Sequence, residues 1–204
     1  MQSPLSLSVD ILPPHLRLGR DQELEVEVVK TEERQSYSVW AIPPDDVSCR
    51  IKKLMGGLRA EFGSPQIDPH IPLAGSLRLM REAALANRSD LCLRAFVAKV
   101  DSVVTRVSYY HPVALVFHLP EEVEMETGVD FNLWNPPLPQ MSILYGHLTE
   151  EERKKAQEKV YILDEIITSL SFPVTHIALN QTNYKDKTLR SWEKIAEYRL
   201  HFNN

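Results

Sequence analysis

Two short segments constrain this chain more than anything else in it. Residues 68–76 read DPHIPLAGS and residues 137–146 read PLPQMSILYG. Each sets a proline-flanked polar residue at the head of a short apolar strand, and each lies in a run that goes, roughly, strand, helix, site strand, paired strands. A recurrence of that kind implies one supersecondary unit used twice, so a duplicated α+β architecture is the economical expectation.

The surrounding patterns support it. YSVWAIP from Tyr37 is β-branched and aromatic and stops at Pro43-Pro44, which predicts a strand. Asp45 or Asp46 can then cap a helix whose apolar positions, Val47, Ile51, Leu54, Leu58 and Phe62, keep three-and-four spacing. The first site strand is expected over His70 to Ala74, followed by a short helix in LRLMREAALANR. RAFVAKVDSVVTRVS and HPVALVFHL predict two longer strands joined near Tyr109 to Pro112. The second site strand is expected over Gln140 to Tyr145. Thr149 and Glu152 then form a capping box before a helix with apolar positions Ala156, Val160, Leu163, Ile167 and Leu170. SFPVTHIALNQT and WEKIAEYRLHF predict two closing strands.

Residues 1–36 are different. Pro13-Pro14 and a mixed-charge stretch give no sustained apolar face, so they are expected to form a loosely ordered N-terminal extension before a two-lobed domain over 37–204. At 204 residues and 43% hydrophobic the chain can bury a substantial core. A net charge of −5 argues against a broad surface for DNA or anionic membrane. Apolar runs such as Val113 to Leu119 fall far short of the roughly 20 residues of a spanning helix. Cys49 and Cys92 are too few for a disulfide framework and suit a reducing interior. A cytoplasmic monomer that binds no membrane is expected.

The chemistry should lie on the two site strands. Alternate strand residues share a face, so His70 pairs with Pro72 and Gln140 with Ser142. Two strands carrying His-x-Ser/Thr would aim two imidazoles and two hydroxyls at one point. One imidazole could take a proton from water, the other protonate a leaving oxygen, and the hydroxyls hold phosphoryl oxygens.

These segments, together with RIKKLMGGLRAEF, TEEERKKAQEKVYILD and DKTLRSWEKIAEYRL, resemble plant cyclic phosphodiesterases of the two-histidine phosphoesterase superfamily over about residues 37–204. The resemblance implies a bilobal α+β fold, with two antiparallel sheets and flanking helices around a central cleft. It implies no metal and no cofactor, and a cyclic-phosphate nucleotide as the small-molecule partner. Similar proteins open ADP-ribose 1″,2″-cyclic phosphate, a by-product of tRNA splicing, and nucleoside 2′,3′-cyclic phosphates. By the same resemblance His70 is catalytic, Ser142 and Tyr145 contact substrate, and Trp40 could wall the site.

The chain departs from the family pattern at two points: Gln140 stands where the second histidine belongs, and Pro72 where a threonine belongs. Glutamine cannot titrate near neutral pH, and loss of one acid or base costs roughly 10²- to 10⁴-fold in rate. Pro72 also removes a backbone donor from what is expected to be an interior strand. Impaired turnover is therefore expected, with a non-catalytic nucleotide-binding or regulatory relative as the alternative. Strict alternation turns Tyr145 away from Ser142. His147 is a remote substitute for the absent histidine, and His111, His118, His176 and His201 read as ordinary strand polarity.

Overall fold

The computed structural model describes residues 34–86, 94–120 and 139–201, which build an α+β fold. Its elements run β1 (Gln35–Ile42), α1 (Asp45–Phe62), β2 (Ile71–Leu79), α2 (Arg81–Ala86), β3 (Phe96–Thr105), β4 (Val113–His118) and β5 (Gln140–Leu144). Then follow α3 (Glu150–Leu163), a 3-10 turn at Ile167–Ser169, β6 (Ser171–Val174), β7 (His176–Gln181) and β8 (Glu193–Arg199). Two antiparallel four-stranded sheets result, ordered β2-β1-β7-β8 and β5-β4-β3-β6. The two site strands, β2 and β5, are therefore edge strands, and they touch each other where the sheets meet.

Residue type explains most of this layout. In β1, Tyr37, Val39 and Ala41 are buried in the core cluster, while Ser38 and Trp40 alternate onto the other face. α1 buries Val47, Ile51, Leu54 and Leu58 of its predicted stripe, with Phe62 partly buried, and its N-cap is Pro44 rather than Asp45 or Asp46, which lie in the first turn. α3 opens with the expected capping box: Glu152 N donates to Thr149 Oγ1 at 3.2 Å, and Thr149 N donates to Glu152 Oε2 at 2.7 Å. Its predicted stripe is only partly buried. Ala156 and Val160 are inside, but the helix stops at Leu163, which is 42% exposed, and Ile167 reaches the core from the 3-10 turn instead. Asp164 ends the helix by accepting two bonds from Arg50 of α1, both 2.7 Å, which ties the two helices together.

Three local expectations are corrected. β2 does not stop at Ala74 but continues to Leu79, because residues 77–79 pair with Tyr37, Ser36 and Gln35 of β1, and α2 is correspondingly shorter. SFPVTHIALNQT is not one strand. It breaks at Thr175, with β6 pairing to β3 in the second sheet and β7 pairing to β1 in the first. Pro72 does not sit in an interior strand: β2 is an edge strand, where proline is tolerated. Residues 1–33 and Cys92 lie outside the described residues, while Gln35 and Ser36 already belong to β1. Among the described residues no helix is long and apolar enough to cross a membrane.

Candidate active site

His70 stands immediately before β2 and is 5% exposed. Its ring stacks on Trp40 of β1, with centroids 3.6 Å apart and planes 15° apart. Pro72, half-buried, lies opposite Trp40 in the β1–β2 register, so His70, Trp40 and Pro72 form one corner of the first sheet. His70 Nδ1 is 2.8 Å from Asp68 O. A carbonyl only accepts, so Nδ1 carries the proton and Nε2 holds the lone pair. Burial lowers the His70 pKa to about 4, against a smaller opposing effect from the Asp68 carbonyl, with His111 adding to the depression.

Gln140 opens β5 opposite Val116 of β4, and the preceding carbonyl, Pro139 O, accepts from Phe117 N at 2.8 Å. The residue is 3% exposed, and its Oε1 is buried without a hydrogen-bond donor. Ser142, opposite Ala114, shares its face. The Ser142 hydroxyl donates to Tyr110 O, with Leu144 O 3.0 Å away as a second acceptor.

Tyr145 does come round to the side of Ser142. The β4–β5 register pairs Ala114 with Ser142 but Val113 with Leu144, so Ile143 is an extra residue on β5. A bulge of this kind reverses the alternation beyond it. Consistently, the Tyr145 phenol lies against the Ser142 hydroxyl and within electrostatic reach of Tyr184. Burial pushes its pKa above the ordinary tyrosine value despite the Ser142 contact, so it serves as a neutral hydroxyl.

The segment between β7 and β8 crosses from the first sheet to these residues. Trp192 lies 5.7 Å from Trp40, stacks on Tyr110 at 6.0 Å, and meets Tyr184 edge-on at 5.2 Å. The Tyr109 hydroxyl donates to Lys187 O and the Tyr110 hydroxyl to Tyr184 O. Lys187 Nζ sits over both tyrosine rings, 4.5 and 4.2 Å from their centroids. Asp186 shapes this strap by accepting from the amides and hydroxyls of Thr188 and Ser191, which hold its carboxyl far below the usual range. Of the predicted residues, His70, Trp40 and Ser142 are thus linked, from His70 to Trp40 to Trp192 to Tyr110, whose carbonyl holds Ser142, while Gln140 stands outside this chain of contacts.

Sequence reasoning passed over Tyr110, Tyr184 and Trp192, and it read His111 as ordinary strand polarity. The available signal was YYHP at a strand junction, a loop rich in groups that stack and titrate. His147, by contrast, is exposed and packs edge-on against Tyr109, 4.9 Å away.

No family model matches the chain. A curated relative does: over 168 residues, 78% of this chain and 92% of the relative, it is 40% identical to the cyclic phosphodiesterase of Arabidopsis thaliana. The chain belongs to the cyclic phosphodiesterase family. Solved structures match its fold as well. Escherichia coli LigT in apo form superposes with a TM-score of 0.53 at 13% identity, covering 83% of this chain and 99% of that one. TT0787 of Thermus thermophilus gives 0.54 at 13% identity, with 83% and 100% covered. LigT has also been solved with ATP and with 3′-AMP, at TM-scores of 0.51. This cyclic phosphodiesterase homologue therefore has the two-histidine phosphoesterase fold, with an amide at one of the two positions where the family resemblance implies an imidazole.

Proposed function

We propose that this protein binds ADP-ribose 1″,2″-cyclic phosphate and nucleoside 2′,3′-cyclic phosphates and opens the ring by hydrolysis, more slowly than relatives that keep both motif histidines. The observation that carries the reading is His70: buried, clamped by Trp40, and fixed by Asp68 O in the tautomer that leaves Nε2 as a proton acceptor. That nitrogen takes a proton from water as the water oxygen bonds to phosphorus. The ring P–O bond then breaks, and the departing sugar oxygen needs a proton that Gln140 has no group to supply. Ser142 reaches a phosphoryl oxygen by exchanging its bond to Tyr110 O, and Tyr145 adds a neutral donor beside it. The nucleotides bound by LigT support a cleft of this fold that accepts an adenosine phosphate.

The test is an assay of the purified chain with ADP-ribose 1″,2″-cyclic phosphate, following the monoester product by phosphorus NMR. Slow turnover that disappears in His70→Ala is expected. Binding of the product with no turnover above that variant would make the protein a non-catalytic nucleotide-binding relative and overturn the enzymatic reading.

A further inference from the structure

We propose that His111, in the loop between β3 and β4, supplies the second imidazole of this active site and performs the proton transfer that Gln140 cannot. The inference rests on the hydrolytic reading above, and it concerns a residue that lies in neither of the two strand motifs.

The loop geometry brings His111 to the site. Val113 pairs with Leu144 and Ala114 with Ser142, so the chain running back from β4 enters the loop alongside the end of β5. Two bonds pin that loop to β5: Ser142 Oγ donates to Tyr110 O, and Gly146 N donates to Tyr109 O at 2.9 Å. Arg106 N closes its base on Pro112 O at 3.2 Å. His111 is thus held between the residue that anchors Ser142 and the proline that precedes β4, with little freedom to move away.

From the other sheet, His70 approaches the same place. Tyr110 stacks on Trp192 and Trp192 meets Trp40, on which His70 lies. His111 is near enough to His70 for its charge to disfavour protonation there, an interaction carried between the two sheets. Around the pair, Arg106 on the loop opposes charging of His111, Asp68 favours charging of His70, and Tyr145 and Tyr184 contribute phenols that burial keeps neutral. Both imidazoles have pKa values lowered to about 4, chiefly by burial.

The roles then divide without a missing proton. His70 Nε2 accepts from the attacking water while protonated His111 donates to the leaving sugar oxygen, and solvent exchange restores both. The orphaned Oε1 of Gln140 accepts from whichever N–H or O–H comes to this face, which orients rather than titrates. Because an imidazolium with so low a pKa is scarce at neutral pH, kcat/KM should peak on the acid side, near the values of the coupled pair, and fall toward pH 7.

The decisive comparison uses the full chain and its His111→Gln and His111→Gln/Gln140→His variants, assayed from pH 4 to 8, with folding checked by thermal melts. His111→Gln should lower kcat by roughly 10²- to 10⁴-fold and remove one limb of the wild-type pH profile. The added Gln140→His should restore at least part of the rate. In the wild type, ADP-ribose 1″-phosphate should shift the imidazole NMR signals of His70 and His111, while those of the exposed His118, His147 and His201 stay in place. That measurement needs no variant to fold. If wild-type turnover is present but unchanged in His111→Gln, or if product leaves the His111 signals unmoved, this inference fails and the hydrolytic reading stands. If the wild type turns over no faster than His70→Ala, the hydrolytic reading fails and takes the inference with it.

Discussion

Acid should destabilise this protein in a window that identifies His70. Its pKa is lowered to about 4 in the fold, against an ordinary value of 6.5, chiefly because burial penalises the cation. Above pH 6.5 both folded and unfolded chains hold the neutral ring, and nothing is lost. Below 6.5 the unfolded chain binds a proton that the folded chain refuses, so stability falls as pH falls and levels off near the folded value. With these two values the loss at pH 5 is about 2 kcal/mol, and it approaches roughly 3 kcal/mol at the plateau. His111, lowered to about the same value by burial and by Arg106, acts in the same direction. Asp186 and Glu150 to Glu152 have depressed values as well, so they too lose stability on acidification, but only below about pH 4.5, their ordinary carboxyl range. Urea titrations followed by far-UV circular dichroism at pH 8 and pH 5 therefore isolate the imidazoles. The wild type should lose at least about 2 kcal/mol between those pH values, and His70→Gln should lose about 2 kcal/mol less. An equal pH dependence in the two proteins would refute the argument that His70 is held neutral by burial.

Gln140→His should raise turnover of cyclic phosphate by roughly tenfold, below the full value of a new acid or base because His111 already shares the work; steady-state kinetics at pH 6 to 7 measures it. Adding Pro72→Thr should raise it further through a phosphate-facing hydroxyl; an unchanged KM and kcat would contradict this. Thr149→Ala should cost about 1 kcal/mol in urea denaturation, by removing the side-chain acceptor for Glu152 N at the start of α3. Deleting residues 1–32 should leave the melting temperature and cyclic-phosphate turnover of the remainder nearly unchanged, because residues from Glu33 onward form a compact unit and their described residues share one hydrophobic core cluster; a collapse of either would show that the extension is required.

Local chemistry determined much of this protein from the sequence alone. The capping box of Thr149 and Glu152, the apolar stripe of α1 and the alternation of β1 are settled by residues within a few positions of one another, so they could be read directly. The placing of His70 and Gln140 at two strand heads was legible for the same reason. Tertiary structure decided the rest. That SFPVTHIALNQT divides between two sheets depends on β1 and β3 competing for its halves, which no local period records. Tyr145 joins Ser142 because Ile143 is an extra residue against β4, a matter of register with a partner strand. His111 comes within electrostatic range of His70 because a loop between two strands is pinned to β5 while a strap from between β7 and β8 stacks over it, bringing Tyr110 and Trp192 together. Each of these depends on pairing between residues far apart in the chain, and the free energy that selects such pairings belongs to the assembled core rather than to any one segment.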